Sequence, residues 1–364
     1  MPQNSVTLDL SATSLELTRA LCDIESVSGN ETTIADSVER ALAGYGHLEI
    51  IRDGDTVVAR TNLGRAQRVI IAGHLDTVPV NGNLPTSFET IDGVEYLWGR
   101  GTVDMKAGVA VQLKLAAELT APGVDVTWMW YDHEEVADDL NGLGRLARNR
   151  PDLFEGDFAI LGEPTNSQIE GGCNGNVRIE VRAFGLRAHS ARSWVGENAI
   201  HRAAPILAIL AGYEARQVEV EGLVYREGLN AVGISGGIAG NVIPDECMVH
   251  INYRFAPSRT SAQAVQHLEE LFDGYEITVV DRAEGARPGL DAPLALQFLT
   301  AVGGEAKPKY GWTDVARFSA LGIPAVNYGP GDPLKAHADD ERVAVAQITD
   351  CEDGLRAWLS ASDR

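Results

Sequence analysis

Arg68-Val69-Ile70-Ile71-Ala72-Gly73-His74-Leu75-Asp76-Thr77-Val78-Pro79 sets an apolar run directly before a histidine and an aspartate two residues apart. The run has the length and composition of a strand buried on both faces. An imidazole leaving such a strand can bind a metal through one nitrogen, and the other nitrogen then needs an acceptor. Asp76 is placed to supply it. A surface turn carrying two polar residues is the other reading, and the pair alone does not choose between them.

The same grammar occurs twice more. Asp125–Tyr131 leads into Asp132-His133-Glu134-Glu135, and Asp157–Leu161 leads into Gly162-Glu163. A helical stretch, 106–119, lies between the first two runs. Strand, helix, strand with continuous apolar strands predicts an α/β fold with a mixed, mostly parallel sheet flanked by helices. The polar residues then sit past the C-terminal ends of the strands, where open α/β sheets hold their ligands.

Upstream, the sequence predicts a helix over 13–26, with Thr13 and Glu16 as a capping box and Leu17, Leu21 and Ile24 on one face. A second helix fits 31–43, with Ile34, Val38 and Leu42 on one face. Strands fit 48–52 and 56–61. From about Asn176 the texture changes: an alternating strand Val177–Phe184, a helix Asn198–Glu214, strands Val232–Ile238 and Met248–Phe255, a helix 260–272 and a strand Glu276–Asp281. This reads as a smaller α+β domain, 177–287, inserted into a first domain made of 1–176 and 288–364. Helices near 291–302, 313–320 and 347–360 and a strand near 324–328 complete the first domain.

A chain of 364 residues suits two domains. Its formal net charge of −22 opposes phosphate backbones and argues against nucleic-acid binding. Its apolar runs are strand-sized, so membrane association is not expected. Met1–Ser5 shows no basic start followed by an apolar stretch, so no secretory signal is expected. Cys22, Cys173, Cys247 and Cys351 are scattered without a C-x-x-C, and read as reduced thiols of a cytoplasmic protein.

Further chemistry-bearing pieces lie along the chain. In Trp98-Gly99-Arg100-Gly101-Thr102-Val103-Asp104-Met105-Lys106, Asp104 follows a glycine-rich turn and precedes a helix, as either an N-cap or a ligand. No GK[ST] follows, which removes a nucleotide site. The neighbouring acids Glu134 and Glu135 are either a solvated loop tip or a pair whose repulsion a cation offsets. Glu163 repeats the pattern, and His337 ends the Gly/Pro-rich stretch Gly331-Asp332-Pro333-Leu334-Lys335-Ala336-His337. Two histidines, three or four carboxylates and no cysteine suit zinc, cobalt or manganese in a catalytic site. Five protein ligands can hold two ions if one carboxylate bridges them.

The H-x-D-T-V-P, G-x-x-D-M-K, E-E, G-E-P-T and late His pieces, in this order, resemble the M20-type dizinc aminoacylase/carboxypeptidase family. That family includes acetylornithine deacetylase, glutamate carboxypeptidase and succinyl-diaminopimelate desuccinylase. The resemblance covers essentially the whole chain. Glu134–Asp138, Arg187–Trp194 and Gly311–Phe318 are most similar to a Gram-positive branch of the desuccinylases. It implies two divalent ions, zinc first with cobalt or manganese as alternatives. Asp104 would bridge them, with His74 and Glu163 on one and Glu135 and His337 on the other. Glu134 would be the general base, Asp76 would orient His74, and the Asp104-Met105 peptide would be cis.

The implied reaction hydrolyses the amide of N-succinyl-LL-2,6-diaminopimelate, a step of lysine and diaminopimelate biosynthesis. Glu134 takes a proton from the attacking water and passes it to the leaving amine, and His189 donates to the oxyanion. His189 would reach the active site of a second copy, which implies a homodimer built through the inserted domain with its lid role. Arg254, Asn241, Thr313, Arg192 and Arg317 are the candidates for binding substrate, each also readable as a surface or capping residue. Two departures bear on the acyl group: neutral Asn174 stands where other desuccinylases use a basic residue, and Arg192-Ser193-Trp194 replaces a Tyr-Pro-His type. N-acetylornithine or N-acyl-lysine deacylation shares every metal ligand and stays open. A dipeptidase or carboxypeptidase, or a non-catalytic binding relative, is a further alternative.

Overall fold

The three apolar runs become neighbouring parallel strands in the computed structural model, which describes residues 7–361. Arg68–His74 lies between Asp125–Tyr131 and Phe158–Leu161, parallel to both, and Ala325–Asn327 continues the parallel set beside Phe158–Leu161. Glu49–Asp53 and Thr56–Arg60 add an antiparallel flank next to Asp125–Tyr131, and Glu170–Gly171 adds a short one beyond Ala325–Asn327. The result is the mixed, mostly parallel sheet expected from the sequence, with eight strands among the described residues. Every residue of Asp125–Tyr131 is buried, as a central strand covered on both faces requires. Met1–Ser5, read for a leader, lies outside the described residues.

The helix Lys106–Glu118 is buried around nearly its whole circumference and packs against Ser14–Cys22 and Val345–Leu359. Its first turn comes unusually close to the end of a strand. A Cβ added to Gly108 would meet the carbonyl oxygen of Gly162 at 2.2 Å, and one added to Gly329 would meet the same oxygen at 2.2 Å. Three backbones therefore converge behind Glu163, and the absent side chains are what let them.

Ser14–Cys22 begins with the expected capping box of Thr13 and Glu16. It stops at Cys22 rather than running to 26. Lys106 Nζ donates to the carbonyls of Leu21 and Ile24 at 3.1 and 2.9 Å, satisfying groups that a longer helix would have used internally. The second helix, Thr32–Leu42, buries Ile34, Val38 and Leu42.

Contacts divide the chain into two compact units: Met1–Gly171, Gly289–Lys307 and Thr313–Arg364 in one, Gly172–Pro288 and Pro308–Trp312 in the other. The second unit holds a four-stranded antiparallel sheet in the order Gly228–Gly236, Glu246–Phe255, Gly175–Phe184, Glu276–Ala283. Val177, Ile179 and Val181 alternate with polar residues and are buried with Val249, Ile251 and Leu268. The single helix expected over 198–214 is two pieces, Ala199–Arg202 and Ala204–Ala211. Pro205 explains the break, because it has no N–H to continue the ladder.

Candidate metal centre

Six side chains converge at the C-terminal ends of the parallel strands. His74 ends its own strand, Glu134 and Glu135 follow Asp125–Tyr131, and Glu163 follows Phe158–Leu161. Asp104 comes from the turn before Lys106–Glu118, and His337 from the loop after Pro333–Lys335. Potential ligand atoms of His74, Asp104 and Glu163 lie within 4.8 Å of one another, and so do those of Asp104, Glu135 and His337. The two groups share Asp104. One Asp104 oxygen is 3.1 Å from His74 Nε2, and the other is 3.2 Å from His337 Nε2. Glu134 completes a third such group with His74 and Glu135. The Asp104-Met105 peptide is cis.

The acidic loop after Tyr131 is held residue by residue. Asp132 is buried and ion-paired to Arg145, at 2.6 Å from Nη2. The N–H of His133 donates to buried Glu31 at 3.1 Å. The N–H groups of Glu134 and Glu135 donate to the two oxygens of Asp76 at 3.0 and 3.1 Å. Asp76 also lies against His74, though the nearest acceptor of His74 Nδ1 is the Asp76 backbone carbonyl at 3.0 Å, with the carboxylate at 3.5 Å. The carboxylate therefore supports the loop more directly than it supports the imidazole.

The donor set demands positive charge. Burial pushes the Glu134 carboxyl well above the usual range, with Asp314, Glu163 and Glu135 adding to it against the pull of His74. Burial likewise raises Glu135. Hydrogen bonds to Asp104 and Glu135 push His337 up to about 10. Burial opposes the charged form of His74, yet Asp104 and Asp76 raise it well above an ordinary histidine. The surrounding carboxylates shift both imidazoles toward their charged form, and a pair of divalent ions fits the same electrostatic role.

The residues expected to contact substrate fall in both units. Thr313 and Arg317 belong to the first unit. Thr313 is buried, with its hydroxyl donating to Asn327 Oδ1 at 2.9 Å, while Arg317 is ion-paired with Asp314 and Asp138. His189, Arg192, Asn241 and Arg254 belong to the second. The first three are exposed, and His189 Nδ1 accepts the N–H of Ala191 at 3.1 Å. Half-buried Arg254 donates through Nε to Asn252 at 3.2 Å. Asn174 is buried, with Nδ2 donating to the carbonyl of Arg226 at 3.0 Å.

Residues 70–362 match peptidase family M20/M25/M40. The chain belongs to that family. Its M20 relatives include a succinyl-diaminopimelate desuccinylase of Corynebacterium glutamicum, 49% identical over 364 residues that cover 97% of this chain and 98% of the relative. A Mycobacterium tuberculosis protein provisionally named as such a desuccinylase is 54% identical over 355 residues, covering 97% of this chain and 99% of the relative. Among solved M20-like folds, a Staphylococcus aureus tripeptidase superposes with a TM-score of 0.79 at 20% identity, covering 97% of this chain and 98% of that one. A dinuclear metal binding M20 peptidase of Bacillus subtilis superposes with a TM-score of 0.70 at 17% identity, covering 95% and 96%.

Proposed function

We propose that this M20 hydrolase cleaves the amide of N-succinyl-LL-2,6-diaminopimelate to succinate and LL-2,6-diaminopimelate in the cytoplasm. The observation that carries the proposal is near-full-length identity of 49% to a desuccinylase in a chain whose six site residues converge. His74 and Glu163 would hold one divalent ion, Glu135 and His337 the other, with Asp104 shared between them; zinc is the first choice, with cobalt or manganese able to use the same donors. When bound, such a pair supplies a water of lowered pKa and polarises the amide carbonyl.

The protein's own work is proton handling and orientation. Glu134, next to both groups yet outside the ligand set, takes the proton of the attacking water. The new C–O bond forms first and leaves a tetrahedral oxyanion; the C–N bond then breaks as Glu134 returns the proton to the leaving amine. Its raised pKa in a buried, acidic setting supports that double duty. Asp76 fixes the Glu134-Glu135 backbone, which keeps base and ligand apart in role although adjacent in sequence.

His189, Arg254, Asn241, Arg192, Thr313 and Arg317 are proposed to receive the substrate, with His189 serving the oxyanion of a second copy. Arg254 is the strongest of the cations. Among the described residues its terminal nitrogens have no hydrogen-bond partner, and such a fork suits a carboxylate. Exposed Val232 and Ile234 on the edge strand Gly228–Gly236, with Leu207 on Ala204–Ala211, support a homodimer through the second unit.

A panel of N-acyl substrates tests the assignment. N-succinyl-LL-2,6-diaminopimelate should have the highest kcat/KM. A far higher kcat/KM for N-acetylornithine, an N-acyl-lysine or a dipeptide would reassign the substrate while leaving the hydrolytic centre in place.

A further inference from the structure

Four residues after His337, in Ala338-Asp339-Asp340-Glu341, one acid is not a surface residue. Glu341 is 1% exposed, and both its oxygens are engaged. Oε1 accepts the N–H of Val103 at 2.9 Å and of Asp104 at 3.1 Å. Oε2 lies 2.7 Å from Arg100 Nη1, which also donates to the carbonyl of Ala338 at 3.3 Å. The Glu341 carbonyl accepts the N–H of Gly99 at 3.0 Å, and Arg342 then pairs with Trp98 as the strand Arg342–Ala344 begins.

We propose that Glu341 is a positioning residue of the metal centre: with Arg100 it locks the Asp104 turn to the His337 loop, and so sets the spacing of the two ligands. The proposal rests on the reading of Asp104 and His337 as ligands. The turn before Asp104 contains Gly99 and Gly101, both at positive φ, so its backbone needs external fixation to aim a side chain reproducibly. Two buried N–H groups at Val103 and Asp104 require an acceptor, and a carboxylate supplies one oxygen to both. Another buried acid beside an acidic centre is costly, which Arg100 offsets. The same guanidinium reaches the residue next to His337. One ion pair thus constrains two ligands 233 positions apart in sequence.

Isothermal titration of zinc and cobalt into metal-free wild type, Glu341→Gln and Glu341→Asp tests this. Gln keeps the size but sets an amide against Arg100, whereas Asp keeps the charge but withdraws it by one methylene. Both variants should bind at least one ion about 10–100-fold more weakly, the usual loss when a partner of a metal ligand is removed. The visible spectrum of the cobalt-loaded protein should shift with them. Either variant suffices should the other fail to fold. Wild-type affinity and an unchanged cobalt spectrum in the folded variants would overturn the proposal, and so would lost stability with unaltered affinity per folded molecule. A wild type that takes up no ion would instead overturn the ligand reading beneath it. No substrate enters the titration, so the substrate assignment is tested separately.

Discussion

Asp76 Oδ1 accepts the backbone N–H of Glu134 at 3.0 Å, so the acid two residues after His74 also fixes the residue proposed as general base. Its second oxygen does the same for Glu135 and accepts the Ser28 hydroxyl at 2.6 Å. Replacing Asp76 with Asn turns one acceptor into a donor facing these groups. The expected result is a fall in kcat together with weaker metal binding, read by steady-state kinetics and by metal titration. A change in KM alone would contradict it.

The same carboxylate predicts a pH dependence of stability in the metal-free protein. Burial by itself raises the Asp76 carboxyl, but His74, Ser28 and the Glu134 N–H hold it down at about 2. A folded pKa below the unfolded value contributes stability that is present above the unfolded pKa and lost as pH falls through the folded one. The contribution is about 2 kcal/mol at the conversion of 1.36 kcal/mol per pKa unit. In urea unfolding, the stability gap between wild type and Asp76→Asn should therefore narrow as pH drops from about 4 toward 2. A gap independent of pH would argue against this charge linkage.

Glu134→Ala should retain its metal and lose activity. The loss of a positioned base lowers kcat by about 10²–10⁴-fold. Elemental analysis and turnover on the same sample separate the two readouts. Unchanged hydrolysis with metal still bound would assign the base elsewhere.

Asp104→Asn should behave differently, because Asp104 is the carboxylate shared by both ligand groups. Dialysed protein should lose both ions and show no measurable hydrolysis. Retention of both ions would remove Asp104 from its bridging role.

Asp132 and Arg145 form a structural pair under the acidic loop, and their prediction concerns stability. Arg145→Ala leaves the buried Asp132 carboxylate without its cation. Breaking such a pair costs about 3 kcal/mol, at the low end of the range because Arg145 is partly exposed. Chemical unfolding with the metal-free protein measures it.

The ligand-bearing framework was legible because each piece combines two local signals: a strand-length apolar run, then a polar residue at its C-terminal end. His74, Glu134, Glu135 and Glu163 all follow that rule. Asp104 and His337 needed the resemblance, since a glycine-rich turn before a helix fits a plain cap equally well. The supporting acids were not legible. Glu341 sits in an acidic run that reads as a solvated surface, and Glu31 sits at the head of a helix. Only tertiary burial distinguishes them from their neighbours. Secondary structure shows the same division. The hairpin Ser87–Ile91 and Val94–Trp98 is marked locally by Asp92-Gly93, both at positive φ, a strong turn signal. Pro205 likewise marks the break in the helix expected over 198–214. For Arg254 and Arg317 the sequence supplies only charge: Arg317 pairs with nearby Asp314 and distant Asp138, whereas Arg254 Nε donates to Asn252.

The proposed hydrolysis depends on His74, Asp104, Glu135, Glu163 and His337 holding two cations beside Glu134. The most direct test strips the protein with a chelator and restores zinc in measured steps, following hydrolysis of N-succinyl-LL-2,6-diaminopimelate. Activity should be absent at the start and reach its maximum at two equivalents per chain. Full hydrolysis by protein shown to contain no metal would contradict the account.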